Sequence, residues 1–383
     1  MTNPAPAGWL ATLERRAQLR GRAGLTRVLR PRPADDNVTD LAGNDYLGLA
    51  RHPKVTAAAA EALRGYGLGA TGSRLVRGAT DAHERIEDAL AALAGADFAL
   101  VYSSGYLANL GVIRALSRPG TLLVNDAHNH ASLIDGCRLA GARTVTVDHA
   151  DPDAVAAALA EAPGRPAIVI TESVFSVDGD LAPLAELHAV ARRHGALLLV
   201  DDAHALGVLG ERGAGAVADA GLAGEPDVVI TATLAKALGG AGGVVAGPTA
   251  LRQHLLDTGR TFIYDTALPP AVAAGVHAAL DIAAAGEPLR AELRDRALTA
   301  TTRLRDAGLA VPTPAAGVLS VAAPDAVAAV AWAGACRDDG VAVGCFRPPS
   351  TPDNRSRLRL TINVGVPRAD FEHALDVIVE HAP

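Results

Sequence analysis

Short apolar runs, separated by turns and by alanine- or leucine-rich stretches, set the rhythm of this chain from Phe98 onward. They are FALVY (98–102), TLLVN (121–125), RTVTV (143–147), AIVIT (167–171), ALLLVD (196–201), DVVIT (227–231) and GGVVAG (242–247). Continuous rather than alternating apolar strands imply burial on both faces, and helices between them imply crossover connections. The pattern predicts an α/β fold: a mostly parallel, seven-stranded sheet flanked by helices. Ligands of such sheets sit beyond the carboxyl ends of the strands, which is where the polar residues of this chain gather.

The flanking segments follow a different pattern. Residues 1–45 are rich in Arg and Pro, with one predicted helix, Trp9 to Arg20, that lacks a complete apolar face; they read as an arm that packs on something else. NDYLGLARHP (44–53) leads into an alanine-rich helix ending near Arg64. The glycine-dense stretch from Gly65 to Thr80 is predicted as loop, and its length with Arg74 and Arg77 suggests the wall of a binding site. Helical spacing returns from Asp81 to Leu93. Beyond Ala271 come a helix to Ala284, a long helix from Glu287 to Ala307, and then strand-like 317–323, 341–346 and 358–364, with helices near 325–336 and from Arg368. Mixed strands and helices of this kind make a smaller α+β unit. The expected organisation is an N-terminal arm (1–45), a large domain (46–284) and a small C-terminal domain (285–383).

Composition narrows the class. With 49% hydrophobic and 20% charged residues, the 383-residue chain has the make-up of a soluble globular enzyme. A net charge of -7 without any basic, aromatic-laced cluster argues against a nucleic-acid surface. No apolar run is long enough to span a membrane, and MTNPAPAGWL lacks the charged start and apolar core of a secretory signal. Cys137, Cys336 and Cys345 have no metal-ligand spacing and read as thiols of a reducing, cytoplasmic protein.

Candidate chemistry centres on TATLAKALGGAGG (231–243), where Lys236 leaves the end of a buried strand among small and apolar neighbours. Desolvation disfavours an ammonium, so such a lysine is suited to condense with an aldehyde; taken alone, the stretch reads first as a plain lysine on a glycine-rich turn, and the rest of the sequence reverses that order. Asp201 ends the strand ALLLV, where a shielded carboxylate pairs with a protonated ring nitrogen or caps the next helix; His204, three residues on, is placed to bond a phenolic oxygen. His128 and His130 lie two apart with no third ligand, which disfavours a metal. His130 suits stacking on an aromatic ligand, or it is a capping histidine. SSGYLAN (103–109) leaves backbone N–H groups at a helix start, a phosphate site or an ordinary turn, and Thr233 offers a hydroxyl nearby. Ser176 and Asp178 fall in the turn after AIVIT. Arg357 and Arg359 alternate onto one strand face, where one fork suits a substrate carboxylate. Neither GxGxxG after the first strand nor GxxxxGK[ST] occurs, so dinucleotide and P-loop readings lose their support.

In combination, NDYLGL, GATGSRL, SSGYLANLG, HASLIDG, SVFSVDGD, LLLVDDAH, TLAKALGG and CFRPPS make the chain resemble the α-oxoamine synthase family of pyridoxal 5'-phosphate enzymes, over most of its length. The resemblance implies the fold-type-I architecture of that cofactor class and a homodimer with active sites between subunits. It assigns the cofactor lysine to Lys236, ring stacking to His130, the pyridinium partner to Asp201, and contacts near the phenolic oxygen to His204 and Ser176. Phosphate contacts fall to Gly105, Tyr106 and Thr233, with Thr266 reaching the phosphate of the other subunit. Substrate contacts fall to Asn44 and Arg359. Ser350 keeps the hydroxyl where threonine is usual, while Thr26 stands at or beside a place often held by a substrate-contacting arginine, with Arg27 next to it. Ala205 and Ala235 replace residues that are commonly glycine, or serine or glycine. The implied reaction is a decarboxylative condensation of L-alanine with a pimeloyl thioester, carried on coenzyme A or an acyl carrier protein, in biotin biosynthesis. Its rivals are family members that join glycine to acetyl- or succinyl-CoA or take a longer acyl chain, a catalytically dead regulatory partner, and a nicotinamide oxidoreductase.

Overall fold

The computed structural model describes residues 7–383. Helix α1 (Ala7–Arg22) extends the predicted arm helix at both ends and leaves Trp9, Leu10, Leu13 and Leu19 exposed. The three-residue strand β1 (Thr39–Leu41) follows. Helix α2 (Pro53–Tyr66) starts with proline at its first turn, where no N–H is needed, and the His52 side chain accepts from Lys54 N–H. The stretch 65–80 is not all loop: Arg74–Gly78 forms a helical turn that folds back so tightly that a Cβ on Gly78 would lie 2.1 Å from the Gly72 carbonyl oxygen. Nor is Arg74 part of a site wall. Its guanidinium grips Glu87 at 2.7 and 3.0 Å inside the protein, so it is a structural ion pair. Helix α3 (Asp81–Ala94) is closed by a capping box between Thr80 and His83.

The strand rhythm is realised as β2 (Phe98–Tyr102), α4 (Gly105–Leu116), β3 (Leu122–Asp126), α5 (Ala131–Ala140), β4 (Arg143–Val147), α6 (Pro152–Ala160), β5 (Ala167–Glu172), α7 (Leu184–Arg193), β6 (Leu197–Asp201), α8 (Ala216–Asp219), β7 (Val228–Thr233) and β8 (Gly243–Gly247). The seven strands form one sheet in the order β2-β8-β7-β6-β5-β3-β4. All neighbours are parallel except β8, which runs against both β2 and β7. Successive side chains of the central strands enter two separate cores: Leu198 and Val200 pack on one face, Leu199 on the other. Only RTVTV departs from the doubly buried expectation. As edge strand β4 it buries Val147 fully and leaves Arg143, Thr144 and Thr146 exposed, which its own alternation foreshadows.

Helices α9 (Thr249–Thr258), α10 (Arg260–Ile263) and α11 (Pro270–Ala285) return the chain across the large sheet. Helix α12 (Glu287–Asp306), β9 (Val318–Ala322), α13 (Ala326–Asp338), β10 (Val341–Phe346), β11 (Arg357–Thr361) and α14 (Arg368–Glu380) complete it. The second sheet has the order β1-β10-β11-β9, so the arm contributes its edge strand: Thr39 sits opposite Val341 in parallel register. Strand β11 is buried along its whole length and carries Arg359 toward the carboxyl ends of the large sheet.

Candidate active site

Those carboxyl ends enclose a cavity of about 880 Å³, into which Glu172 (β5), Asp201 (β6), Thr233 (β7) and Arg359 (β11) all face, together with His130, His204 and Lys236. The parallel register sets Glu172 directly beside Asp201 on neighbouring strands. Two buried carboxylates side by side raise the cost of ionising both. Burial first, and then the Asp201 charge, push Glu172 up to about 8. Ser176 holds it from the following turn, its N–H donating to one carboxyl oxygen at 3.1 Å and its hydroxyl to the other at 3.4 Å. Asp201 accepts from the Asn109 side-chain amide at 2.7 Å and from Ala203 N–H at 3.1 Å.

Lys236 lies in the turn between β7 and β8, with Gly239 at φ 64 behind it; a Cβ there would sit 2.4 Å from Ala50 N. Only glycine lets the turn close against residues 49–50, and the closure holds the lysine at the strand ends. Burial pulls its amine down to about 8 and Arg359 acts in the same sense, while Asp201 and Glu172 oppose them. A larger share of the amine is thus unprotonated near neutral pH than at an exposed lysine.

His130 caps α5, its Nδ1 accepting from Ser132 N–H at 3.2 Å. Its ring lines the cavity, and burial, helped by the nearby Lys236 and Arg359 charges, lowers its basicity. His204 is buried, and burial keeps it well below the ordinary histidine value. Its Nδ1 lies 2.5 Å from the Tyr46 hydroxyl, itself held protonated by burial. Tyr46 therefore donates to Nδ1, and the remaining imidazole hydrogen is on Nε2.

Pyridoxal 5'-phosphate fits these residues. A Cβ on Gly105 would crowd the Thr233 Cβ at 3.1 Å, and glycine there lets the start of α4, with its free N–H groups, lie close beside Thr233; a phosphate suits that cradle. An amine, an acid and a flat imidazole are what its aldehyde, ring nitrogen and ring face require. Tyr106 follows Gly105 into the first turn of α4, and its hydroxyl donates to Asp135 at 2.8 Å. Arg359 donates to the Ser176 carbonyl and to Asn44 Oδ1, each at 2.8 Å, while its buried Nε has no partner among the described residues. Arg357 instead pairs with Asp178 and Asp353.

Ser350 and Phe346 line both this cavity and an adjoining one of about 320 Å³, which holds Arg27 and Arg347. Arg27 donates to the Ser350 hydroxyl at 2.7 Å. Thr26 lines neither cavity; its carbonyl accepts from Arg347 at 3.4 Å. Thr266 is exposed on the segment after α10, outside the cavity of its own chain. Three residues of the site escaped the sequence reading. Tyr46 sits inside NDYLGL and Asn109 at the end of SSGYLAN, both within quoted motifs. Glu172 follows AIVIT directly, and only the strand register reveals its neighbour Asp201.

The sequence matches the family described as Aminotransferase class I and II over residues 36–378. An 8-amino-7-oxononanoate synthase of Mycolicibacterium gilvum is 52% identical over 376 residues, 98% of this chain and 97% of that protein. A serine palmitoyltransferase of S. paucimobilis, solved with bound PLP and myriocin, superposes with a TM-score of 0.91 at 29% identity over 98% of each chain. An 8-amino-7-oxononanoate synthase of Francisella tularensis superposes with a TM-score of 0.77 at 26% identity, covering 90% of this chain and 98% of that one. The chain therefore belongs to the aminotransferase class I and II family of pyridoxal-phosphate enzymes, and within it to the 8-amino-7-oxononanoate synthase family of acyltransferases.

Proposed function

We propose that the chain condenses L-alanine with a pimeloyl thioester, releasing carbon dioxide and the free thiol and forming 8-amino-7-oxononanoate for biotin synthesis. The observation that carries the reading is the convergence of Lys236, Asp201, His130 and Arg359 on one cavity. Pyridoxal phosphate, when bound, supplies an electron sink for negative charge developing at the amino acid Cα. Lys236 gives that cofactor its covalent anchor, and its amine, once released, takes the Cα proton. Asp201 holds the proton on the ring nitrogen. His130 covers the ring face, and His204 Nε2–H with Ser176 serves the phenolic oxygen. Backbone N–H groups of Gly105 and Tyr106 and the Thr233 hydroxyl take the phosphate, joined by Thr266 from a second copy of the chain in a homodimer. The Arg359 guanidinium, with Asn44, receives the alanine carboxylate as a charge-assisted pair. Arg27 and Ser350, in the adjoining cavity, with Thr26 beside them, meet the acyl donor. No described helix is long and apolar enough to cross a membrane, and the three thiols are free; we place the enzyme in the cytoplasm.

A crossed turnover assay tests the reading: alanine, glycine and serine, each with pimeloyl, acetyl, succinyl and palmitoyl thioesters, the pimeloyl group on both coenzyme A and acyl carrier protein. Turnover confined to alanine with a pimeloyl thioester is expected. Faster turnover with glycine or serine, or with another acyl group, overturns the substrate assignment.

A further inference from the structure

We propose that Asn109 is a positioning residue: it carries one buried hydrogen-bond chain from Asp201 to His130 and turns the Ser132 hydroxyl onto the ring, reinforcing the tautomer that the Ser132 N–H already favours. The chain has five members. Asn109, Ser132, Thr231 and Asp201 are all buried, and His130 opens onto the cavity. The Asn109 amide nitrogen lies 2.7 Å from Asp201 Oδ2 and 2.8 Å from Ser132 Oγ, and its oxygen lies 2.6 Å from Thr231 Oγ. Ser132 Oγ lies 2.7 Å from His130 Nδ1.

Only one set of directions satisfies every contact. A carboxylate oxygen accepts, so the amide must turn its NH2 toward Asp201, which leaves its carbonyl oxygen to accept from Thr231. The second amide hydrogen goes to Ser132 Oγ. The Ser132 hydroxyl hydrogen is then free for His130 Nδ1, where Ser132 N–H also arrives at 3.2 Å. A ring nitrogen that accepts from two donors carries no hydrogen, so the imidazole proton is on Nε2. Turning the amide over would press its carbonyl oxygen against the carboxylate and leave two buried groups without partners, a costly arrangement in a medium of low dielectric. The acid for the ring nitrogen and the imidazole for the ring face are thereby joined through one side chain in the cavity wall. The inference rests on the cofactor site and is independent of which amino acid and thioester react.

The test uses the full-length chain labelled with 15N-histidine and loaded with pyridoxal phosphate, and a long-range 1H–15N spectrum; the His130 signals are those lost in His130→Gln. His130 Nδ1 is expected in the unprotonated range in the unaltered protein. In Asn109→Leu, close in volume but without polar atoms, the His130 Nδ1 signal should shift as the Ser132 hydroxyl loses the donor that orders it, while the Ser132 N–H keeps the tautomer, and kcat should fall roughly tenfold, as when hydrogen-bond partners of functional imidazoles are removed. Ser132→Ala, which removes only the hydroxyl, guards against a failure of Asn109→Leu to fold and should shift the same signals. A protonated Nδ1 in the unaltered protein, or His130 signals unmoved in the folded variants, overturns the proposal. Neither outcome bears on the substrate assay above.

Discussion

At the scale of single residues, the site depends on groups whose ionisation is set by burial. Glu172 has the clearest consequence. Burial and Asp201 push its carboxyl from the ordinary 4.5 up to about 8, so between those values the folded protein holds a proton that the unfolded chain has released. Stability falls as pH rises through this window, and it levels off above about 8. Glutamine at 172 keeps the shape and the neutral form at every pH. Thermal melts should therefore show Glu172→Gln gaining on the unaltered protein from pH 5 to pH 8 and keeping a constant lead beyond; a lead that shrinks with rising pH would contradict the assignment. Lys236, Asp201 and His130 were legible in the sequence because each stands at a strand end beside small residues. Glu172 stands at a strand end too, but its chemistry comes from a neighbour 29 positions away in the chain, which the strand register supplies. Tyr46 was hidden for the same reason: its partner His204 is 158 residues distant.

At the scale of elements, the apolar runs located all seven strands of the large sheet, because strands buried on both faces leave an unbroken signal. Alternation in RTVTV carried a further message, its place at the edge, which surfaces only with the strand order. The region 65–80 misled: its glycines read as loop, yet Gly78 is what permits the compact turn there, and the arginine taken for a binding group is neutralised by Glu87, 13 residues on. Glycines matter most where β8 meets the start of α4. A Cβ on Gly243 would lie 2.4 Å from Ser104 O and 2.5 Å from Gly105 N. Backbone on both sides must then shift, and the phosphate cradle with it. Gly243→Ala should weaken pyridoxal phosphate binding by about tenfold or more, or ~1.4 kcal/mol. Gly334→Ala, where a Cβ meets nothing within 4 Å, should bind as before. Equal affinities in the two variants, measured by cofactor titration, would remove the cradle from the account.

At the scale of the whole molecule, the site is assembled from two sheets. The large one supplies the acids, the histidines and the lysine from its strand ends; the four-stranded one supplies Arg359, which reaches across to the Ser176 carbonyl and to Asn44. Beside it, the buried Arg357 clasps Asp178 in the turn after β5, so the strand that carries Arg359 is fastened to that turn by an ion pair as well. Alternation put both arginines on one face and left open which would reach the cavity, since that depends on how β11 is set against the turn; the family resemblance alone pointed to Arg359. Nor did it show that the arm ends in a strand of the second sheet, because three residues of β1 leave no periodic signal. Among these groups Lys236 lines the same cavity. The most direct measurement is borohydride reduction of the full-length protein after loading with pyridoxal phosphate, followed by mass mapping of its peptides. The account predicts a single phosphopyridoxyl tag on Lys236, with no tag and no turnover in Lys236→Ala. A tag on another lysine, or an untagged protein that still turns over, would contradict it.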